Sequence, residues 1–134
     1  MIDIENELFT KIATALRTQF SGIFVTGEYV AAPPSFPCAM IVEADNITYR
    51  ESQTSTENEN HATVMYEVNV YSNKTSGRKS EAKAIMAVID DIMLRLNFDR
   101  MFLDAVPNLH DATIYRLTAR YIAVISKDEV IYRR

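Results

Sequence analysis

The feature that most constrains the fold is the alternation of side chains along residues 111–126 (DATIYRLTARYIAVIS). A period of two indicates a β-strand, because successive side chains of a strand point to opposite sides of the sheet. One face of this stretch is mainly apolar and carries Thr113, Tyr115, Leu117, Ala119, Tyr121, Ala123 and Ile125. The other face starts half polar, with Arg116 and Arg120, and becomes apolar near its end. Such a strand predicts a sheet whose apolar face is covered by a layer of helices.

A second stretch, residues 62–71 (ATVMYEVNVY), has the same alternation. Its apolar face carries Val64, Tyr66, Val68 and Val70, and its opposite face carries Met65, Glu67, Asn69 and Tyr71. Two strands of this length, each with one mainly buried face, predict a central sheet.

Two segments have helical spacing, with apolar residues three and four positions apart. The first, residues 3–20, has the stripe Leu8, Phe9, Ile12, Leu16 and Phe20, with Asp3 as a candidate cap and Gly22 as a terminator. The second, residues 78–96, has the stripe Ala82, Ile85, Met86, Ile89, Ile92, Met93 and Leu96, and Asn97 is placed to end it. The order of elements predicts an α+β fold in two layers, with both helices on one face of a mainly antiparallel sheet. A chain of 134 residues is expected to form one domain, residues 1–134.

The remaining segments are shorter. Residues 23–30 predict a short strand with a bulge or turn at Gly27, residues 38–46 predict another strand, and residues 130–132 predict an edge piece. Residues 98–103 form a short apolar segment before a turn at Pro107.

Two irregular segments are candidates for contacts with other proteins. Residues 31–37 (AAPPSFP) hold three of the four prolines and cannot be regular structure. Phe36 either plugs the core or forms an exposed docking loop with Pro34. Residues 52–60 (SQTSTENEN) include Glu57 and Glu59 and have no apolar side chain, so they predict a loop that is a spacer or a contact arm.

Composition argues against several classes of function. The net charge of −4 disfavours tight binding to nucleic acid, since phosphate neutralisation needs a surplus of Lys and Arg. A single cysteine, Cys38, allows neither an intramolecular disulfide nor a cysteine-based metal site. Neither a signal peptide nor a membrane span is expected, which predicts a protein assembled in the cytoplasm.

No constellation of residues predicts catalysis, a metal site or a cofactor. His61 and His110 are not at metal-ligand spacing, and Asp90 and Asp91 are expected to lie on a solvated helix face because adjacent helical side chains diverge. Glu67 is better explained by an exposed strand face than by a buried general acid, and Cys38 by a small core residue than by a nucleophile. The protein is therefore not expected to be an enzyme.

Arg116 and Arg120 are the polar pair with the clearest placement. Four positions apart on a strand, they project from one face with about 13 Å between them. They form either a solvated sheet face or a contact surface for acidic groups of a neighbouring subunit.

The sequence resembles the tail terminator, or tail-completion, proteins of long-tailed bacteriophages. The similarity lies in residues 27–30 (GEYV) running into 33–37 (PPSFP), in 66–73 (YEVNVYSN) and in 108–121 (NLHDATIYRLTARY). The resemblance implies a ring, commonly a hexamer, that caps the growing tail tube and then joins the tail to the head connector of the virion. DNA would pass through the lumen without specific binding, and the family has no active-site residues to transfer.

Alternatives to a tail terminator remain open. The nearest is another phage neck or minor capsid protein, such as a connector or adaptor, with the same fold. A small hydrolase or nuclease would need convergent acidic or histidine ligands, and a ligand-binding module would need a deep apolar pocket. Under the assembly interpretation, the candidate contact residues are Pro34, Phe36, Glu57, Glu59, Arg116 and Arg120.

Overall fold

The computed structural model describes residues 2–48, 61–107, 111–126 and 131–132. Within these ranges it has two helices and six strands. In chain order they are α1 (Glu5–Gln19), β1 (Phe24–Thr26), β2 (Cys38–Thr48), β3 (His61–Ser72), α2 (Arg78–Arg95), β4 (Asp99–Val106), β5 (Tyr115–Ser126) and β6 (Ile131–Tyr132).

The strands form one sheet in the order β1-β2-β3-β5-β4, and the short β6 also pairs with β5. The pairing of β1 with β2 is parallel, and the other pairings are antiparallel. Both helices pack against the same face of this sheet, so the predicted α+β fold with two layers is confirmed. The two strands identified first in the sequence, β3 and β5, lie side by side in the middle of the sheet.

The core lies between the helices and the sheet, and the predicted apolar faces line it. From β3 and β5 it contains Val64, Tyr66, Val68, Val70, Leu117, Ala119, Tyr121, Ala123 and Ile125. From the helices it contains Leu8, Ile12, Leu16, Ala82, Ile85, Met86, Ile89 and Met93, and Phe9, Phe20, Ile92 and Leu96 pack against it. Full burial of an aliphatic or aromatic side chain of this size stabilises the fold by about 1.5–3 kcal/mol, so these stripes hold the layers together.

The ends of α1 differ slightly from the prediction. The residue at the N-cap position is Ile4, which makes no capping bond, and Asp3 instead accepts a hydrogen bond from the Glu5 amide through Oδ1 at 2.9 Å. The helix ends at Gln19, and Gly22 has the positive φ of 78° that was expected of it. A left-handed residue reverses the chain direction here, which brings β1 back onto the sheet.

β1 is shorter than the predicted strand over residues 23–30. It ends at Thr26, and the turn expected at Gly27 follows directly. The Thr26 hydroxyl accepts a hydrogen bond from the Glu28 amide at 3.2 Å, which stabilises a local turn in place of continued pairing.

β4 is a strand of eight residues where the sequence indicated only a short apolar segment. The turn before it follows the prediction, since Asn97 ends α2 with a φ of 68°. Phe98 is fully buried, and its amide donates a hydrogen bond to the carbonyl of Met93 at 3.0 Å, so this residue folds back on the last turn of α2. β4 was missed because most of its side chains are exposed on both faces, which leaves no alternation to read.

Candidate interaction surface

The sheet face turned away from the helices, which we call the distal face, has a polar centre on its two middle strands. Glu67 and Asn69 of β3 lie opposite Arg120 and Thr118 of β5, and Arg116 lies one step further along. Within the described residues, both helices pack on the other face of the sheet and do not cover these polar side chains. The side chains are therefore held in place by contacts with one another and with neighbouring strands.

Asn69 organises this polar centre, although only 1% of its surface is exposed. Its Oδ1 accepts hydrogen bonds from Nε and Nη2 of Arg116 at 3.0 and 2.8 Å, and from Oγ1 of Thr118 at 2.7 Å. Its Nδ2 donates to Oε2 of Glu67 at 3.3 Å. Hydrogen bonds that involve a charged group are stronger than neutral ones, so this amide rigidly joins β3 to β5.

Glu67 and Arg120 form an ion pair across the same two strands. Nη2 of Arg120 lies 2.7 Å from Oε1 of Glu67, and both side chains are about one third exposed. The hydrogen bond from Arg120 lowers the pKa of Glu67, and the Asn69 amide and the charge of Arg116 add to that effect. A general acid needs a raised pKa, so this carboxylate is placed as the partner of a guanidinium and not as an acid catalyst.

The two predicted contact arginines therefore already have partners within the chain. Besides the polar contacts above, the guanidinium carbon of Arg116 lies 5.5 Å from the centre of the Tyr71 ring, and that of Arg120 lies 6.0 Å from the centre of the Phe102 ring. Both guanidinium groups thus lie over aromatic rings, where the ring face attracts a cation. That Arg116 and Arg120 contact a neighbouring subunit stays a prediction. Such contacts would have to form without breaking the internal bonds of the two arginines.

We expect the stability of the protein to fall more steeply at acid pH because of Glu67. A carboxylate with a lowered pKa in the folded state stabilises the fold above its unfolded pKa, and this contribution is lost as the pH falls through the folded value. In Glu67→Gln, thermal melting below about pH 4.5 should therefore change less with pH than in the wild type. The control is Asp91→Asn, which removes an exposed carboxylate that pairs with Arg95 on α2. Parallel melting curves for wild type and Glu67→Gln would contradict the assignment.

In the proline-rich segment, residues 31–37, one residue fits the docking-loop interpretation and another fits the core-plug interpretation. Pro34 is exposed, whereas Phe36 is half-buried and packs on a small cluster of Cys38, Met40 and Tyr71 on the distal face. Phe36 thus covers one end of the distal face, in agreement with the core-plug interpretation, although the core it covers is not the main one. Glu57 and Glu59 lie outside the described residues.

A second surface, absent from the sequence prediction, runs along the sheet edge at β4. Met101, Phe102 and Leu103 are 51, 37 and 39% exposed, and β4 has a single partner strand, β5, among the strands described. Beside this edge strand, a groove of about 540 Å³ separates β4 from α2. It has an apolar lining that includes Met86, Leu103 and Leu117, and a basic rim formed by Lys79, Lys83 and Arg100.

Asp90 lies at the wall of this groove. The prediction that its carboxylate is on a solvated helix face is therefore wrong. It accepts a hydrogen bond from the Tyr121 hydroxyl at 2.7 Å, and it pairs with Nη1 of Arg100 at 3.0 Å. Burial raises the pKa of Tyr121, and the bond to Asp90 raises it further, so the hydroxyl stays protonated as the donor. Asp91, in contrast, faces solvent as predicted. α2 therefore joins the sheet through a polar contact at its edge as well as through its apolar stripe.

The groups that could do chemistry are few within the described residues. Burial raises the pKa of the Cys38 thiol to about 11, so the reactive thiolate is scarce near neutral pH, in agreement with a small core residue. One set of carboxylates is spaced closely enough to share a metal ion: Asp3, Glu5 and Glu43.

Comparison with known proteins does not assign a family. No model of a known protein family matches the chain, and no curated protein sequence matches it. Within the described part of the chain, neither helix is both long and apolar enough to cross a membrane.

Proposed function

We propose that this protein is a structural component of a bacteriophage particle that caps the growing tail tube as a ring and joins the tail to the head connector. The observation that carries the proposal is the apolar edge strand β4 with the groove beside it. An exposed strand edge with apolar side chains is normally avoided in soluble proteins unless another chain covers it. The sequence resembles tail terminators in residues 27–37, 66–73 and 108–121. This resemblance supports a ring in which another chain covers the β4 edge.

A ring requires each copy to offer two different surfaces, so that contact is head to tail and closes by rotation. The β4 edge is suited to one of these surfaces. Its outward backbone groups can pair with an extended segment, and the exposed side chains of Met101 and Leu103 supply apolar contacts. Arg100 is paired with Asp90, and the two remaining basic residues of the groove, Lys79 and Lys83, favour an acidic segment of the next copy over a basic one.

Tail termination then follows from the asymmetry of the subunit. A ring that binds the last ring of the tube, and offers no surface for a further tube subunit, stops polymerisation and leaves its outer side for the head connector. The net charge of −4 suits the passage of DNA through the lumen, since a strongly basic lumen would retain the phosphates. In this proposal the protein resides in the virion at the head–tail junction and acts without a cofactor.

Deletion of the reading frame from its source replicon is expected to separate heads from tails. Electron microscopy should show filled heads beside free tails of excessive or irregular length, and the wild-type gene supplied in trans should restore joined particles. Met101→Asp should fail to restore them, because a charge on the exposed edge opposes its burial in a contact. Leu94→Asp, a similar change at the exposed Leu94 of α2, should restore them.

The variants need a check on folding, which the melting temperature of each purified protein provides. Charge reversal at Arg116 and Arg120 is less informative, because it would break the internal bonds to Asn69 and Glu67 as well as any external contact. Normal infectious particles after deletion would refute the assembly function. If purified protein captured the connector but not the tube protein, it would instead be a connector or adaptor of the neck.

A further inference from the structure

The loop between β1 and β2 presents the most exposed large apolar side chain in the described part of the chain. Residues 27–35 (GEYVAAPPS), which we call the Tyr29 loop, follow β1 directly, and Tyr29 is 63% exposed. The other exposed residues of the loop are Glu28, Ala31, Ala32, Pro34 and Ser35. Tyrosine is enriched among the residues that dominate the binding energy of protein interfaces. The loop therefore has the exposure and the anchor residue of a contact surface.

The Tyr29 loop is attached to the sheet on both sides of its proline-rich part. Val30 and Phe36 pack on the cluster of Cys38, Met40 and Tyr71 on the distal face. Two consecutive prolines between these anchors fix the backbone further. A segment that is already ordered loses little conformational entropy when it binds, so docking of this loop costs less than docking of a free chain.

The groove between α2 and β4 lies at the opposite side of the sheet from the Tyr29 loop. β1 and β4 are the outer strands of the order β1-β2-β3-β5-β4, and four strand spacings of about 4.8 Å place them about 19 Å apart. A contact between the loop of one copy and the groove of another is therefore head to tail. Contacts of this kind can repeat around a closed ring, as the proposed assembly requires.

The groove has the size and the chemistry to receive an aromatic side chain with an acidic neighbour. Its volume is about 540 Å³, and Met86, Leu103 and Leu117 contribute to its apolar lining. On its rim, Lys79 and Lys83 lie four positions apart on one face of α2. Neither lysine forms an ion pair with another described residue, so both positive charges can pair with a partner.

Charge complementarity links the two surfaces. Glu28 is the only charged residue of the Tyr29 loop, and its carboxylate forms no ion pair with another residue that the structure describes. We propose that the Tyr29 loop of one copy docks in the groove of the next copy, with the Tyr29 ring on the apolar lining and the Glu28 carboxylate beside Lys79 and Lys83. This inference rests on the ring proposed above and names the two surfaces that join its copies.

Analytical ultracentrifugation of the purified full chain measures the contact. The wild type should self-associate at concentrations up to about 1 mM. Tyr29→Ala should weaken the association by at least about 30-fold, the effect of truncating a residue that dominates an interface. The matched control is Ile47→Ala, which truncates a side chain that is 56% exposed on β2. It should change the association by less than about twofold, because Ile47 belongs to neither surface.

Reversal of charge tests which groups face each other. Glu28→Lys and Lys79→Glu/Lys83→Glu should each weaken the association, because each places like charges opposite one another. The triple variant that combines them should associate more tightly than either, since the exchanged charges attract again. In the matched control, Glu28→Lys is combined with Lys11→Glu and Lys74→Glu, two exposed lysines outside the groove. This control should stay as weak as Glu28→Lys alone.

A mixture of two impaired variants tests the direction of the contact. Tyr29→Asp keeps its groove and Leu103→Asp keeps its loop, so each should be monomeric alone, and an equimolar mixture should form dimers through one intact contact. Melting temperatures show whether each variant is folded.

Four results would each overturn the contact: a wild type that is monomeric at about 1 mM, equal effects of Tyr29→Ala and Ile47→Ala, no recovery in the triple variant, or no dimers in the mixture. None of them would alter the separation of heads from tails expected after deletion of the reading frame. Failure of this contact is therefore distinguishable from failure of the assembly function.

Discussion

Phe98→Ala is expected to lower the free energy of unfolding by about 3–5 kcal/mol, the range for truncation of a fully buried phenylalanine. Phe98 has no exposed surface, and its ring meets that of Tyr66 edge to face, with the ring centres 5.7 Å apart and the planes at 77°. The substitution removes this aromatic contact and leaves a cavity between α2 and the sheet. Urea denaturation followed by circular dichroism measures the change.

The matched control is Phe102→Ala, four positions further along the same apolar segment. Phe102 is 37% exposed on the edge strand, and its clearest partner is the guanidinium of Arg120. Its truncation should lower the free energy of unfolding by no more than about 1 kcal/mol, the scale of a partly exposed cation–π contact. Equal effects of the two substitutions would show that Phe98 does not belong to the core, which would contradict the placement of β4 relative to α2.

Asn69→Ala is expected to lower the free energy of unfolding by about 2–3 kcal/mol. The substitution removes the acceptor shared by Arg116 and Thr118, and a buried polar group that loses its partner costs about 1–3 kcal/mol. Partial access of water to Arg116 limits the effect to this range. Urea denaturation measures it, and Asn6→Ala on the exposed side of α1 serves as the control, with an expected change within about 0.5 kcal/mol.

A double-mutant cycle tests whether the network is one unit. Thr118→Val removes one donor to Asn69 with little change in shape, and the double variant Asn69→Ala/Thr118→Val should be less destabilised than the sum of the single variants. Groups in one hydrogen-bond network show coupling energies of about 0.5–3 kcal/mol. Strictly additive effects would contradict a shared role of the Asn69 amide in joining β3 to β5.

The fold could be predicted from the sequence wherever one side of an element is buried. α1, α2, β3 and β5 each present an apolar face to the same core, so the periodicity of their side chains reports their structure. β4 has an edge position and mostly exposed side chains, so the same reasoning indicated only an apolar segment there. Its identity as a strand depends on hydrogen bonds to β5, which no local pattern records.

The candidate sites were predictable only in part, for a related reason. The alternation along β5 was enough to place Arg116 and Arg120 on the same face, but not to show that Asn69 and Glu67 bind them. Asp90 looked solvated by helical spacing, yet it sits where α2 borders β4 and meets Arg100 and the Tyr121 hydroxyl. The carboxylate of Glu43 approaches those of Asp3 and Glu5 through tertiary structure alone, since Glu43 lies 38 positions after Glu5 in the sequence.

The polar centre of the distal face has a consequence for how the two middle strands find their alignment. A slip of two residues between β3 and β5 would keep every apolar side chain facing the helices, so hydrophobic burial barely distinguishes such misaligned pairings from the native one. The same slip would place Glu67 opposite Thr118 or Ile122 and separate it from Arg120, its native partner. The Glu67–Arg120 ion pair and the hydrogen bonds of the Asn69 amide therefore favour the native alignment of β3 with β5 over the slipped ones.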